Sequence, residues 1–135
     1  MKHPSECIFF NLVKAGKKAS RFLKNEVALL GLTSIQTLVI LFLFYQDEIT
    51  SAELGKRTEL DSATMAGVLD RIENMGLVAR RPNHDDHRAI SVCLTDEGQM
   101  MAEKLWDVAE KANTTFLKKF SKEEVVFLKG LLNRL

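Results

Sequence analysis

Two stretches of this chain carry residue types whose spacing suits recognition of a polyanion. The first is Asp61-Ser62-Ala63-Thr64-Met65-Ala66-Gly67, with Arg71 following. Small residues let a backbone approach a surface closely, and a helix amino end holds a phosphate. The second is the polar turn Pro82-Asn83-His84-Asp85-Asp86-His87-Arg88. An arginine at a turn tip suits a narrow DNA minor groove, where negative potential is concentrated. Covalent chemistry is not in view. The chain shows no Ser-His-Asp set, no Gly-rich phosphate loop and no acid pair in an enzyme context, so neither an enzyme nor a cofactor is expected. His3 and Cys7 are four apart and His84 and His87 three apart. Those are metal-compatible helical spacings, but the second pair falls in a turn, and no metal site is expected.

The elements that must position these residues follow from the hydrophobic pattern. Ile8, Phe9, Leu12, Val13, Ala19, Phe22, Leu23, Val27 and Leu30 recur mostly at three and four, one apolar face of a first helix ending near Gly31. Lys14, Lys17, Lys18, Arg21 and Lys24 form its opposite, solvated face. Thr33-Ser34-Ile35-Gln36 fits a capping box and opens a second helix to Tyr45, apolar nearly all round and so expected to be central and buried. Thr50-Ser51-Ala52-Glu53 fits another box and opens a short helix to about Thr58. Asp61 is the expected N-cap of the next helix, Ser62 to about Met75, with Met65, Leu69, Ile72 and Met75 inward. That leaves Ser62, Ala63, Ala66, Gly67 and Asp70 outward. Gly76 suits a left-handed helix end.

Leu77 to Arg81 reads as a strand, and Ala89 to Leu94 alternates with period two, placing Ile90, Val92 and Leu94 on one face. The two make a hairpin. Thr95-Asp96-Glu97 starts a long helix to about Lys119, and Ser121-Lys122-Glu123-Glu124 is a third capping box before a terminal helix. That helix shows Val125, Val126, Leu128, Leu131, Leu132 and Leu135, too much apolar surface for a monomer's last helix. The fold class is therefore mainly α with a small β wing. Two helices joined by a tight turn and followed by a hairpin make a winged helix-turn-helix, at about 34–95. Its second helix is the one a major groove admits.

The 135 residues amount to one domain, 1–135, long enough for its own core. Apolar and charged fractions of 46% and 27% exclude a disordered chain, and two cysteines exclude a disulfide scaffold. Net charge is +1 overall. Between Ser51 and Ser91, however, six Lys/Arg face seven Asp/Glu, so a DNA reader must gather its cations on one face. The amino end has no signal-peptide core. Leu29 to Tyr45 is too short and too polar for a span, so no membrane partner is expected. Unpaired cysteines suit a reducing, cytoplasmic compartment.

Leu54 through Gly98 resembles the MarR family of bacterial transcriptional regulators. The residues that carry the resemblance are Leu60-Asp61-Ser62 with Thr64, Val68-Leu69-Asp70-Arg71-Ile72-Glu73, Gly76-Leu77-Val78 with Arg80, Asp86 and Arg88, then Leu94-Thr95 and Gly98. Leu32-Thr33 with Gln36 matches the family's second-helix entry. The resemblance implies a homodimer in which the first and last helices, about 5–30 and 96–135, interlock. Each subunit then offers one winged helix to a pseudo-palindromic operator in duplex DNA. It implies a repressor, released by a small-molecule effector. It also implies that Arg88 enters the minor groove and that Asp86 steadies it; His87 stands where the family often has a second arginine.

The expected DNA contacts are Ser62, Thr64, Ala66, Gly67 and Arg71 of the recognition helix, Lys56 and Arg57 before it, and Arg88 in the wing, with Asp86 as wing support. Arg71 has two readings, a phosphate contact or a partner of an acid that holds the wing. Cys7 has two as well, a redox-sensing thiol or a plain buried one. The second is favoured because peroxide-sensing members supply tyrosines near the thiol, and the one tyrosine here is Tyr45 in another helix. A rival from another class, motivated by the acidic balance of Ser51 to Ser91, is a winged-helix protein–protein interaction module without DNA binding.

Overall fold

Side-chain caps decide where most of the helices begin. In the computed structural model, which describes residues 2–135, α1 (Ile8–Val27) follows a short 3-10 turn, Pro4–Glu6, capped by His3. A second 3-10 turn, Ala28–Leu30, ends at Gly31. Thr33 then opens α2 (Ser34–Tyr45) with both halves of the expected capping box formed. Thr50 accepts from the Glu53 amide to open α3 (Ser51–Thr58). Here only half the box exists, because the Glu53 carboxylate turns to Arg57. Asp61 caps α4 (Ser62–Asn74) by accepting from the Thr64 amide at 2.8 Å. Thr95 caps α5 (Asp96–Leu117), and a complete Ser121/Glu124 box opens α6 (Lys122–Leu132). α5 ends two residues before the expected Lys119.

The β element is larger than a hairpin. Strand β1 (Ile49–Thr50), strand β2 (Val78–Pro82) and strand β3 (Ile90–Leu94) form one antiparallel sheet in the order β1-β3-β2. Ile49 pairs with Val92 and Val78 with Leu94. Because β3 is the middle strand, Ser91, Val92, Cys93 and Leu94 are all buried, while Ile90 at its start is half exposed. The expected one-faced alternation therefore fails at Ile90, Ser91 and Cys93. Burial also pushes the Cys93 thiol pKa up.

The core joins α2, α3, α4, the sheet and the first half of α5. Ile40, Leu43, Leu54, Met65, Leu69, Ile72, Val92 and Leu105 are at most 1% exposed. Each such side chain contributes about 1.5–3 kcal/mol of transfer free energy. Val68 joins Met65, Leu69 and Ile72 on the inward face of α4, whereas Met75 lies past the helix end and is exposed. α2 is not buried all round: Ile35, Leu38 and Phe42 are exposed on one side. α1 leans on α5 through Phe22 and Phe116, whose ring centroids are 5.2 Å apart. Ser34 ties α2 to α1 by donating to the Ser20 carbonyl at 2.7 Å. Among the described residues no single helix is long and apolar enough to cross a membrane.

Candidate nucleic-acid interface

The turn between α3 and α4 sets the recognition helix. Glu59 takes a left-handed conformation, φ 54°, and the Leu60 amide donates to the Gly55 carbonyl. The chain then re-enters a helix at Asp61. Its carboxylate holds both the Thr64 amide and the Thr64 hydroxyl, the latter at 2.7 Å. Those bonds, the amide's first, lower the Asp61 pKa below its ordinary value of 3.8. Ser62, Ala63, Ala66, Gly67 and Arg71 are exposed along α4. A Cβ at Gly67 would meet nothing within 4 Å. Glycine there relieves no crowding inside the protein, although it costs a helix about 0.5–1 kcal/mol relative to alanine.

The wing is built around Asn83. Its side-chain oxygen accepts from the Asp85 and Asp86 amides, both at 2.9 Å, and its nitrogen donates to Ser91 Oγ. The backbone closes with Asn83 N–H donating to the Ala89 carbonyl and Ala89 N–H to the Asp86 carbonyl. Asp86 Oδ1 accepts from the Arg88 amide at 3.0 Å and lies 3.5 Å from Arg88 Nε. The Arg88 side chain is 95% exposed. Asp86 thus meets both the amide and the side chain of Arg88, and the rest of Arg88 extends into solvent. Asn83 went unread in the sequence, though an Asn after Pro at the start of a polar turn is a known turn former.

Wing and recognition helix are tied by Arg80 of β2, which pairs with Asp70 at 2.6 Å and with Glu73. This removes one of the two readings of Arg71. The residue that pairs with acids and holds the wing is Arg80, and Arg71 makes no ion pair among the described residues. Asp70 faces outward as expected, and its carboxylate is engaged in this clamp. The available signal was the three-residue step from Asp70 to Glu73, one helix face, beside a strand arginine.

The two cations before α4 part company. Lys56 is exposed and shares a shallow cleft with Gly55, Leu60 and Ser62. Arg57 is turned back, bonded to Glu53 at 3.1 Å and to the Gln46 side chain. The acidic balance of this region is largely neutralised from within. Glu53, Asp70, Glu73 and Asp86 are ion-paired and Asp61 is spent on its cap, while Lys56, Arg71 and Arg81 pair with no acid among the described residues.

Away from this face, an apolar groove of about 590 Å³ runs between α1, α2 and α5, lined by Ala19, Phe22, Leu23, Ile35, Leu38 and Phe116 among others. Cys7 is half-buried as the N-cap of α1, not the buried thiol expected, because Phe9 and Phe10 point outward. His3 belongs to the preceding 3-10 turn, so the helical spacing assumed for it with Cys7 does not hold. Among the described residues no group of three His, Cys, Asp or Glu side chains could hold a metal ion.

The profile of the MarR family matches residues 32–90, from the Leu32-Thr33 entry of α2 to the start of β3. The chain is 30% identical over 119 residues to the HTH-type transcriptional repressor YetL of Bacillus subtilis, covering 87% of this chain and 71% of YetL. It superposes on a crystal structure of a mutant E. coli MarR complexed with operator DNA with a TM-score of 0.86 at 26% identity, covering 94% and 91% of the two chains. For BpsR of Bordetella bronchiseptica, whose DNA binding is regulated by 6-hydroxynicotinic acid, the TM-score is 0.90 at 25% identity, covering 99% and 96%. In sequence and in fold alike, this chain belongs to the MarR family of winged-helix transcriptional regulators.

Proposed function

We propose that the chain is a homodimeric transcriptional repressor that binds a pseudo-palindromic operator in duplex DNA, in the cytoplasm, and performs no catalysis. The observation that carries this reading is the outward face of α4. Ser62, Ala66 and Gly67 leave it low, Arg71 stands free on it, and the braced Arg88 projects from the adjoining wing. A low helix face lets the backbone reach base edges in the major groove, while the wing arginine suits the neighbouring minor groove. Thr64 and Lys56 flank the entry; Arg57, tied to Glu53, contributes through the loop it holds more than through a phosphate. In this reading α1, α5 and α6 pair two subunits and hold the two recognition helices about 34 Å apart, one DNA turn.

Release follows from the same geometry. The α1–α2–α5 groove has a volume within the usual range for small-ligand sites. An effector there that favours a wider separation of the α4 helices shifts the population off DNA, by no more than its differential affinity.

Selection of bound fragments from random duplex DNA tests the reading. A palindromic consensus with half-sites one turn apart is expected. Absence of salt-sensitive binding to any duplex would instead favour an interaction module without DNA binding, since binding through phosphates weakens steeply with salt.

A further inference from the structure

A cleft of about 530 Å³ opens between α4 and the amino end of α2. Gly67 and Arg71 line it from α4, Thr33 and Gln36 from α2, and Lys24 from α1; no Asp or Glu lines it. Several donors meet there without a partner. In the α2 capping box the Thr33 amide donates to Gln36 Oε1 at 2.9 Å. That bond fixes which way the side-chain amide points, because a flip would set two donors face to face. Its NH2 group is therefore the end Gln36 has left for the cleft. This group has no acceptor among the described residues, although Gln36 is only 6% exposed. The group is open to solvent, and Gln36 lines the cleft, so an acceptor from outside the chain can meet it there. The Ser34 and Ile35 amides, in the first turn of α2, lack acceptors among the described residues as well. Lys24 and Arg71 make no ion pair among the described residues.

We propose that this cleft is a phosphate site, occupied by one backbone phosphate of the bound duplex. Gln36, Lys24 and Arg71 are its side-chain ligands, and the α2 amino end completes it. The inference rests on the DNA-binding reading given above. A phosphodiester offers acceptors only, and this lining offers unpartnered donors. Gly67 belongs both to the low face of α4 and to this cleft, so a strand that follows α4 in the groove passes the cleft opening. Such a contact sets register and affinity and carries no sequence information.

Gln36→Glu is the discriminating variant. Glutamate is an ordinary capping-box residue, so the bond to the Thr33 amide survives, while the donor facing the phosphate becomes an acceptor. The expected result is a loss of about ten-fold or more in affinity, because hydrogen bonds to charged groups are the strong ones. The loss is the same on operator and on unrelated duplex, with an unchanged thermal midpoint. Lys24→Ala removes one phosphate contact per subunit and lowers the slope of log affinity against log salt by about 1.8 for the dimer. Normal binding by Gln36→Glu overturns the proposal.

A second measurement keeps the test independent of any effect on folding. The unaltered protein is bound to duplexes carrying a single neutral methylphosphonate at successive positions. At one position in each half-site the substitution weakens the unaltered protein yet adds nothing to Lys24→Ala. If no position behaves so, the contact does not exist. Inorganic phosphate binding at Gln36 without such a position would make the cleft a small-anion site and refute the DNA contact. Failure of the unaltered protein to bind any duplex is a separate result, and it removes the DNA-binding reading itself.

Discussion

The winged helix-turn-helix and the helices at the two chain ends close their apolar surfaces to very different degrees. Between Ser34 and Leu94, α2, α3, α4 and the sheet share one core in which Ile40, Leu43, Leu54 and Ile72 are fully enclosed. α6 buries no residue at all, with Val126 and Phe127 exposed at 72% and 69%. α1 buries only Val27 of its twenty residues, leaving Ile8, Phe9, Phe10 and Val13 in solvent. The difference teaches a division of labour. One subunit contains a complete reading head, while its end helices carry apolar surfaces that the subunit itself does not cover.

The severest way to break that comparison is to remove α6. Deletion of Glu124 onward is expected to give an aggregated or unfolded chain, seen by light scattering and circular dichroism; a soluble folded monomer would mean that the ends need no partner. Within the reading head the glycines differ as sharply. A Cβ at Gly98 would drive into the Leu77 carbonyl, whose carbon lies 2.9 Å away, whereas Gly67 faces open space. Gly98→Ala is therefore expected to cost about 1–3 kcal/mol of stability in denaturant unfolding, as overpacked sites do. Gly67→Leu is expected to leave a folded dimer that no longer binds operator. Unfolding of Gly67→Leu would assign that glycine to packing instead.

Smaller effects sharpen the picture. Arg88→Ala should weaken operator binding by about 1–3 kcal/mol, measured by fluorescence anisotropy, with little change in melting temperature. Arg80→Ala should cost about 0.5–1 kcal/mol of stability, since its ion pairs are partly exposed, and should weaken DNA binding by loosening the wing. The smallest effect concerns Asp61. Its pKa in the fold is depressed below 3.8, so the stability it contributes is complete above that value and is lost as pH falls through the lowered one. Asp61→Asn, which keeps the cap but cannot titrate, should flatten that acid limb in pH-dependent melting.

How far the sequence anticipated this molecule depends on how local each feature is. Helix starts at Thr33, Thr50, Asp61, Thr95 and Ser121 were legible because a cap and the amide it serves are three residues apart. The contact between Asp86 and Arg88 was expected from the family resemblance, and it spans only two residues. Strand β1 was not, because Ile49 and Thr50 are a strand only by virtue of Val92 and Ser91, more than forty residues on. The Arg80 clamp failed for the same reason: a helix face and a strand must already be side by side before Asp70 and Glu73 select Arg80 over Arg71. Burial was misread where a chain-level pattern has to be split between neighbours, as in α2, whose apolar far side carries Ile35, Leu38 and Phe42.

The junction at Thr95 has a mechanical consequence. Its hydroxyl donates to the Gly76 carbonyl at the end of α4, and its amide donates to the Leu77 carbonyl at the start of the wing. The same hydroxyl accepts from the Gly98 amide inside α5. Recognition helix, wing and α5 are thus pinned at one point. α5 is 22 residues long, about 33 Å at 1.5 Å per residue. A rod of that length, tilted by roughly 5° about its far end, carries the pinned end through about 3 Å, one hydrogen-bond length. Small angular changes among the terminal helices are thereby amplified into displacements of the reading head as a single body.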